Sequence, residues 1–468
     1  MREEPLLFPH DTKERSTMPK LSKYNYFYPW REGYHLAYNA RSGAVALMTE
    51  ENYRALAALK SRLSESTPAQ LSAEEQLLLS QLQHGLFVHP DELSELDALK
   101  FRHRSARFGT SSLGFVVAPT MACNMACEYC FEENKRGRMS RTVIDDFVKF
   151  ISKRAASLET VEITWYGGEP LLAMDIIEEV TLRILDLAAE QKFKYYGAAI
   201  SNGYLLTPEN VDRLLKLRVG SVQITIDGPG RLHNQKRPLK NGKDSFATII
   251  ENLKYASTKM AVIIRVNVDK SFTPEIVAEL LDELEEAGLK EHIAVNFGLL
   301  EPASSACANI AENCYDVAEF SRAEIAFYAE VLDHGFQIDK LPAPLDIFCV
   351  AQCINSFVVD PDGELYRCFN YVGDKTRSIG NISQDPQYSH PEFTRLFKFD
   401  PFENDSCRDC DILPICMGGC PSRRDDRGLE AAKLCDSWRY NLEPMLDIIA
   451  RNRYRAAPQT VQPTKETK

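Results

Sequence analysis

The chain has 468 residues, 44% of them hydrophobic, which is enough for a large core and about three domains. Its formal charge of -12 argues against nucleic acid or an anionic membrane as the main partner. Residues 1–23 are polar and have no apolar segment typical of a signal peptide, so the sequence does not predict secretion. It has no apolar run of about 18 residues, so it does not predict a membrane span either. Most of the thirteen cysteines lie in ligand-like clusters, so the sequence favours the reducing cytoplasm.

Residues 24–100 are predicted to form a separate unit after the tail at 1–23. A small antiparallel sheet is expected from three β-rich runs, at 24–28, 34–38 and 44–48. Two helices follow, one with Thr49 as its N-cap and one opened by the capping box Ser72-x-x-Glu75. With the closing strand at 86–88, this order resembles the winged-helix modules that bind the leader of ribosomally made peptides at a sheet edge. A simple packing role is the alternative.

The next region alternates strands and helices, which predicts a parallel sheet or barrel. The predicted strands are 113–118, 161–166, 194–200, 221–227, 262–268 and 292–299, and the predicted helices are 141–156, 171–190, 208–217, 245–258 and 274–286. Ser140 and Thr207 are expected to cap two of these helices. Six strands predict an α/β fold with a partial (β/α)6 TIM-type barrel over residues 110–335. Functional residues in such barrels lie at the C-terminal ends of the strands.

Three cysteines directly follow the first of these strands. Cys123, Cys127 and Cys130 have the spacing C-x3-C-x2-C, which can hold three irons of a [4Fe–4S] cubane and leave the fourth for an outside ligand. A structural zinc site usually has four ligands in paired spacings, and no fourth Cys or His is close in the sequence. The spacing resembles that of the radical S-adenosylmethionine (SAM) enzymes, in which SAM chelates the open iron. An aromatic residue beside the third cysteine belongs to that pattern, and here Tyr129 and Phe131 flank Cys130.

Further motifs follow the next strands. Gly167-Gly168-Glu169-Pro170 resembles the GGEP motif of radical SAM proteins, in which glycines permit close approach to the SAM ammonium. By the same resemblance, SAM contacts are expected from further residues on later strands, namely Ser201, Asn202, Asp227 and Arg265. Asp227 could instead be a turn or capping residue. Arg265 in an apolar strand needs an anionic partner, either the SAM carboxylate or a structural carboxylate.

Eight cysteines are concentrated between residues 349 and 435, seven of them in the pattern C-x9-G-x4-C, C-x2-C-x5-C-x3-C, C. This resembles a SPASM auxiliary domain, expected here over 340–445, and the family's crossed arrangement implies two four-cysteine [4Fe–4S] clusters. One would use Cys349, Cys353, Cys368 and Cys420, and the other Cys407, Cys410, Cys416 and Cys435. The sequence spacing between Cys349 and Cys353 is short for two ligands of one cluster. A pair of zinc ribbons is the alternative to the two clusters. Cys307 and Cys314 are expected to be buried thiols, and the tail 455–468 to be disordered.

The resemblance implies a function. The cofactors would be SAM and three [4Fe–4S] clusters, reduced by a protein such as flavodoxin or ferredoxin. Cleavage of SAM would give a 5′-deoxyadenosyl radical that abstracts hydrogen from a peptide or protein substrate. We expect a peptide maturase that makes a thioether or carbon–carbon cross-link, with no catalytic side chain assigned. The alternatives are an anaerobic sulfatase-maturing enzyme and a non-catalytic Fe–S carrier. Sulfatase-maturing enzymes have an Asp that acts as the catalytic base directly after the second SPASM cysteine. This chain has Phe369 at that position.

Overall fold

The computed structural model describes residues 19–31, 33–63, 71–132, 137–301, 305–425 and 434–454. The predicted C-terminal tail and most of the predicted N-terminal tail lie outside these residues. The chain divides into two compact units, Met1–Phe101 and Arg102–Lys468. In the described part of the chain, no helix combines the length and apolar character needed to cross a bilayer.

The first unit contains two small antiparallel sheets and two helices. Its elements are β1 (Lys20–Leu21), β2 (Asn25–Arg31), β3 (Tyr34–Asn39), β4 (Ala44–Thr49), α1 (Glu50–Leu63), α2 (Ala73–His84) and β5 (Val88–His89). The sheet order is β2-β3-β4, and β1 pairs with β5. The strand β1 falls inside the predicted tail, because a two-residue strand has no periodicity and depends on its distant partner. The predicted capping box is present, with Ser72 Oγ accepting from Glu75 N at 3.2 Å.

Helix α3 (Glu95–Phe108) runs across the division between the units. The second unit then alternates strands and helices: β6 (Ser112–Val117), α4 (Arg141–Ser152), β7 (Thr160–Trp165), α5 (Met174–Gln191), β8 (Lys194–Ser201), α6 (Pro208–Lys216), β9 (Val219–Thr225), α7 (Gly230–Lys236), α8 (Phe246–Ala256), β10 (Ala261–Val268), α9 (Pro274–Glu286) and β11 (Ile293–Leu299). The predicted strand ends fall within two residues of these. The short α7 was not predicted, because seven residues give little periodic signal. Ser140 and Thr207 cap α4 and α6 as expected.

The remaining elements are mostly short: α10 (Val317–Asp333), β12 (Ser356–Val359), β13 (Leu365–Tyr366), α11 (Pro391–Arg395), α12 (Asp405–Arg408), α13 (Leu413–Cys416), α14 (Pro421–Asp425) and α15 (Trp438–Arg453). The large sheet has the order β11-β10-β9-β8-β7-β6-β12-β13, in which only β13 is antiparallel to its neighbour. The fold is therefore α/β with a largely parallel sheet. The cysteine-rich region extends this sheet through β12 and β13, a pairing that the sequence did not indicate.

The parallel register brings the predicted motifs to one edge of the sheet. Since β6 to β10 are all parallel, the segments that follow them lie at their shared C-terminal edge. The cysteine loop follows β6, the glycine pair follows β7, and Ser201 ends β8. Strand β7 alternates, with Val161, Ile163 and Trp165 buried in the hydrophobic core.

Candidate functional site

Gly167 and Gly168 let the loop after β7 lie directly on the cysteine loop. A Cβ on Gly167 would be 2.4 Å from the carbonyl oxygen of Thr120, and one on Gly168 would be 2.4 Å from those of Met121 and Ala122. Gly167 also has φ +118°, a conformation that other residues rarely adopt. The glycines are therefore required by close contact between two backbone segments of the site.

Glu169 is a fully buried carboxylate that joins the ends of β7 and β8. Its Oε1 accepts hydrogen bonds from Ser201 Oγ at 2.9 Å and Leu171 N at 3.0 Å, and its Oε2 accepts from Asn202 N at 2.8 Å. Burial raises the pKa of Glu169, and these hydrogen bonds oppose the rise. Glu169 thus shapes the site by fixing Ser201 and Asn202.

Asn202 in turn contacts the cysteine loop. Its Nδ2 donates to Asn124 Oδ1 at 2.7 Å and lies 3.8 Å from Cys123 Sγ. Asn124 was not among the predicted site residues, because an amide between two cysteines has no spacing signal of its own. Its own Nδ2 is buried and has no hydrogen-bond partner among the described residues, so a donor remains available beside Cys123.

Tyr129 anchors the cysteine loop to the ends of β9 and β10. Its hydroxyl donates to Asp227 and accepts from Arg237 Nη1, and Asn267 N donates to Asp227 Oδ1 at 2.9 Å. Burial raises the pKa of Tyr129 well above its ordinary value, so the phenol stays protonated. Asp227 is therefore a buried acceptor in the interior of the site. Asn267 was not predicted as part of this network.

Arg265 extends from β10 as a buried cation. Its Nε donates to Asn267 Oδ1 at 3.2 Å, and burial lowers its pKa. No carboxylate forms an ion pair with Arg265 within the described ranges, so the structural ion pair considered from the sequence is not seen. A buried guanidinium without an anion is unfavourable. The carboxylate that acts on Arg265 most strongly, that of Asp227, is already paired with Arg237, so the site can accept a further anionic group beside Arg265.

The thiols of the cysteine loop lie close enough to influence one another. Burial raises the pKa of Cys123 to about 11, and neighbouring Glu169 and Cys127 add to the rise. All thirteen cysteines are free of disulfides. Among the residues described, no three cysteine, histidine or carboxylate side chains converge tightly on the position of one metal ion. A cubane spreads its ligands over different irons and needs no such convergence.

The eight cysteines of the C-terminal region form two groups, within which the cysteines influence one another's pKa values. In the first, burial raises the pKa of Cys368 to about 12 and Cys349 and Cys420 raise it further, while burial and Cys349 raise that of Cys353. In the second, burial raises the pKa values of Cys407, Cys410 and Cys416, and Cys435 adds to each. Cys349 lies with the first group. The assignment of two clusters to these groups stays a prediction.

Cys307 and Cys314 are both buried, as expected from the sequence. Burial raises the pKa of Cys314, with further contributions from Asp269 and Cys307, so the two thiols lie near each other.

An aromatic cluster connects the cysteine loop to the first auxiliary group. The ring of Phe369 lies 5.9 Å from that of Tyr166 and 6.4 Å from that of Phe131, and Phe369 is 46% exposed. Burial raises the pKa of Tyr166 strongly, and the smaller contributions include both Cys130 and Cys368. The residue after Cys368 thus faces the predicted reaction site. Tyr166 was not among the predicted site residues, and the contacts of Tyr166 and Phe131 with Phe369 were not predicted, because only the fold brings these rings together.

Comparison with known proteins identifies the central region. Residues 117–284 match the family described as the radical SAM superfamily. The cysteine-type anaerobic sulfatase-maturating enzyme of Clostridium perfringens (strain 13 / Type A) is 26% identical over 385 residues, covering 73% of this chain and 99% of that protein. Mycofactocin maturase MftC of Mycolicibacterium smegmatis is 26% identical over 328 residues, covering 66% of this chain and 78% of MftC.

Solved structures share the fold. Native anSMEcpe with bound AdoMet and Kp18Cys peptide matches with a TM-score of 0.56 and 21% identity, covering 74% of this chain and 98% of that one. Streptococcus suis SuiB bound to precursor peptide SuiA matches with a TM-score of 0.51 and 15% identity, covering 89% of this chain and 100% of that one.

Proposed function

We propose that this chain, whose residues 117–284 match the radical SAM superfamily, is a radical SAM enzyme that matures a ribosomally made peptide by forming a thioether or carbon–carbon cross-link. The observation that carries this proposal is Phe369, which directly follows Cys368 and faces Tyr166 and Phe131. Phenylalanine has no group that can accept a proton, so this position cannot supply the base that the sulfatase-maturing chemistry needs.

We assign Cys123, Cys127 and Cys130 to the [4Fe–4S] cluster that holds SAM. When bound, this pair of cofactors supplies a 5′-deoxyadenosyl radical that abstracts hydrogen from an unactivated carbon. The residues present fit these groups, because the buried Arg265 has no carboxylate partner among the described residues and the Asn124 amide has an unused donor. Glu169, through Ser201 and Asn202, holds the loops around the cluster in place.

Tyr129, Asp227 and Arg237 form a second support, which links the cysteine loop to the segment that follows β9. The aromatic cluster of Phe131, Tyr166 and Phe369 forms an apolar wall beside this loop, and its exposed member can contact a substrate side chain. We assign the two auxiliary [4Fe–4S] clusters to the two groups of cysteines described above. Complete protein ligation suits them to electron transfer and to support of the fold.

We also propose that the N-terminal unit recognises the leader of the substrate peptide in the manner of a winged-helix module. The support is its three-stranded sheet, in which β2 and β4 are edge strands and pair with no further strand among the described residues. An extended peptide can add to such an edge through main-chain hydrogen bonds.

Formylglycine formation is the second candidate, because sulfatase-maturating enzymes are among the relatives. The carrier function considered from the sequence is not retained, since the chain has a radical SAM domain and enzymes as relatives.

Mass spectrometry of a co-expressed precursor peptide distinguishes the two candidates. A cross-link should make the peptide lighter by one pair of hydrogen atoms, and a thioether should also protect one cysteine from alkylation. An aldehyde that reacts with hydrazide at a former Cys or Ser would overturn the proposal in favour of formylglycine.

A further inference from the structure

Arg367 is a buried cation inside the first auxiliary cysteine group. It directly precedes Cys368, and only 3% of its surface is exposed. Burial lowers the pKa of Arg367 to about 10, which leaves the guanidinium charged at neutral pH.

The hydrogen-bond partners of Arg367 are all neutral carbonyl oxygens. Its Nε and Nη2 donate to Ala351 O at 3.2 and 2.7 Å, Nη1 donates to Ser356 O, and Nη2 also donates to Cys353 O. The ring of Phe393 lies 4.7 Å from the guanidinium carbon. No carboxylate forms an ion pair with it in the ranges that the structure describes. Each of its three nitrogens has an acceptor, but its charge is not balanced.

A buried charge without a counter-charge is strongly unfavourable. The groups that act on Arg367 most strongly after burial are the thiols of Cys353 and Cys349. Neutral thiols cannot balance the cation, whereas thiolates that hold an iron–sulfur cluster can. The unbalanced charge of Arg367 is therefore compensated once this cysteine group carries its anionic cluster.

The second auxiliary group has a different charge environment. Arg439 Nη1 lies 3.9 Å from Cys410 Sγ, but Arg439 is half exposed and 3.6 Å from Asp411. Arg424 acts on Cys407, while the carboxylates of Asp411 and Asp436 act on Cys410 and Cys416. The cations of the second group are thus offset by carboxylates.

In the first group a further cation, Arg107, acts on Cys353 and lies 3.9 Å from Asp400. Its Nη2 donates to Phe397 O at 2.8 Å. Asp400 can neutralise the charge of Arg107, but it does not also neutralise the buried charge of Arg367.

We propose that the charge of Arg367 raises the reduction potential of the first auxiliary cluster above that of the second. The first cluster is the one assigned to Cys349, Cys353, Cys368 and Cys420, and the second is the one assigned to Cys407, Cys410, Cys416 and Cys435. The inference rests on the proposed assignment of the two auxiliary clusters. Reduction adds a negative charge to an already anionic cluster, and a fixed cation in a low-dielectric environment stabilises the more negative state. The cluster beside Phe369 is therefore the better electron acceptor of the two.

The test is a redox titration, followed by electron paramagnetic resonance, of the anaerobically reconstituted full chain and three variants. Arg367→Gln keeps hydrogen-bond donors but removes the charge, so one auxiliary cluster should become at least tenfold harder to reduce, about 59 mV for a one-electron couple. Arg367→Lys should retain most of the wild-type potential. Arg439→Gln should shift the other cluster less, because solvent screens a half-exposed charge.

An unchanged potential in Arg367→Gln, with full iron content, would overturn the inference. If Arg367→Gln does not fold, the potentials of the two auxiliary clusters of the wild type test the inference. The signal that is lost in Cys368→Ser identifies the first of these clusters. It should have the higher potential of the two, and the reverse order refutes the role of Arg367. A wild-type protein that holds only one cluster would instead refute the proposed assignment of the auxiliary clusters.

Discussion

The guanidinium of Arg265 lies directly over Gly298 of the neighbouring strand. A Cβ at residue 298 would come within 2.0 Å of Arg265 Nη2 and 2.1 Å of Cζ. The two residues lie on the paired strands β10 and β11. The absence of a side chain at Gly298 therefore sets the position of the cation that we assign to SAM.

Gly298→Ala should displace Arg265 and weaken SAM binding. We expect a loss of roughly ten- to a hundredfold in affinity, because a hydrogen bond to a charged group contributes about 1.5–3 kcal/mol. Anaerobic titration calorimetry of the reconstituted enzyme measures this. Gly220→Ala in β9 is the matched control, since a Cβ there meets no atom within 4 Å. Equal SAM affinity in both variants would contradict the role of Arg265.

Replacing Cys123, Cys127 and Cys130 together with Ala should remove about a third of the iron, from about twelve irons per chain in the wild type, if three cubanes form. Reductive cleavage of SAM should be lost, because no thiolates remain to hold the cluster that binds it. Iron analysis and chromatography of cleavage products provide the measurement. Cys307→Ala is the control and should keep both the iron and the cleavage. Continued SAM cleavage in the triple variant would refute the assignment.

Asp227→Asn should destabilise the fold by about 3–5 kcal/mol, the usual result of leaving a buried charge without its partner. The charge left behind is that of Arg237, which is 8% exposed. Urea denaturation of the apoprotein gives the change. Glu279→Gln removes an exposed carboxylate that pairs with Arg231 and should have a much smaller effect, since solvent screens that pair. Similar midpoints for both variants would show that Asp227 does not stabilise the interior.

Stability should fall in acid because of His233. This ring is fully buried between Asp227 N and Ser245 Oγ, and burial lowers the pKa of His233 to about 3. Between pH 6.5 and 3 the unfolded chain binds the extra proton, so the free energy of unfolding decreases as pH falls, by up to about 1.4 kcal/mol per pH unit. Between pH 7 and 5, the wild type should lose about 2 kcal/mol more than His233→Asn in urea denaturation. Parallel losses would mean that another group is responsible.

The N-terminal unit can be tested by removing residues 1–94, which leaves α3 intact. If the sheet edge binds a leader, the truncated enzyme should lose affinity for the precursor peptide and still cleave SAM without it. Fluorescence anisotropy of a labelled peptide reports the affinity. Full affinity in the truncated enzyme would leave this unit with a packing role alone.

The local features of the chain could be predicted because they depend on neighbours in the sequence. The caps at Ser72, Ser140 and Thr207 need a hydroxyl just before a helix, and all three form the expected hydrogen bonds. Strands β6 to β11 of the large sheet followed from alternation with helices, and the parallel order then placed the motifs at one edge.

Only the tertiary structure decided which distant residues meet. The resemblance had already placed Cys416 and Cys420 in different clusters, but the structure shows the sharp turn between them, in which Met417, Gly418 and Gly419 all have positive φ. Asp227 had two interpretations in the sequence, and its contact with Tyr129 depends on loops that are far apart in the chain. The same holds for Arg265 over Gly298 and for Phe369 beside Tyr166. A sequence motif specifies residue types and spacing, whereas these relationships depend on how separate strands and loops pack together.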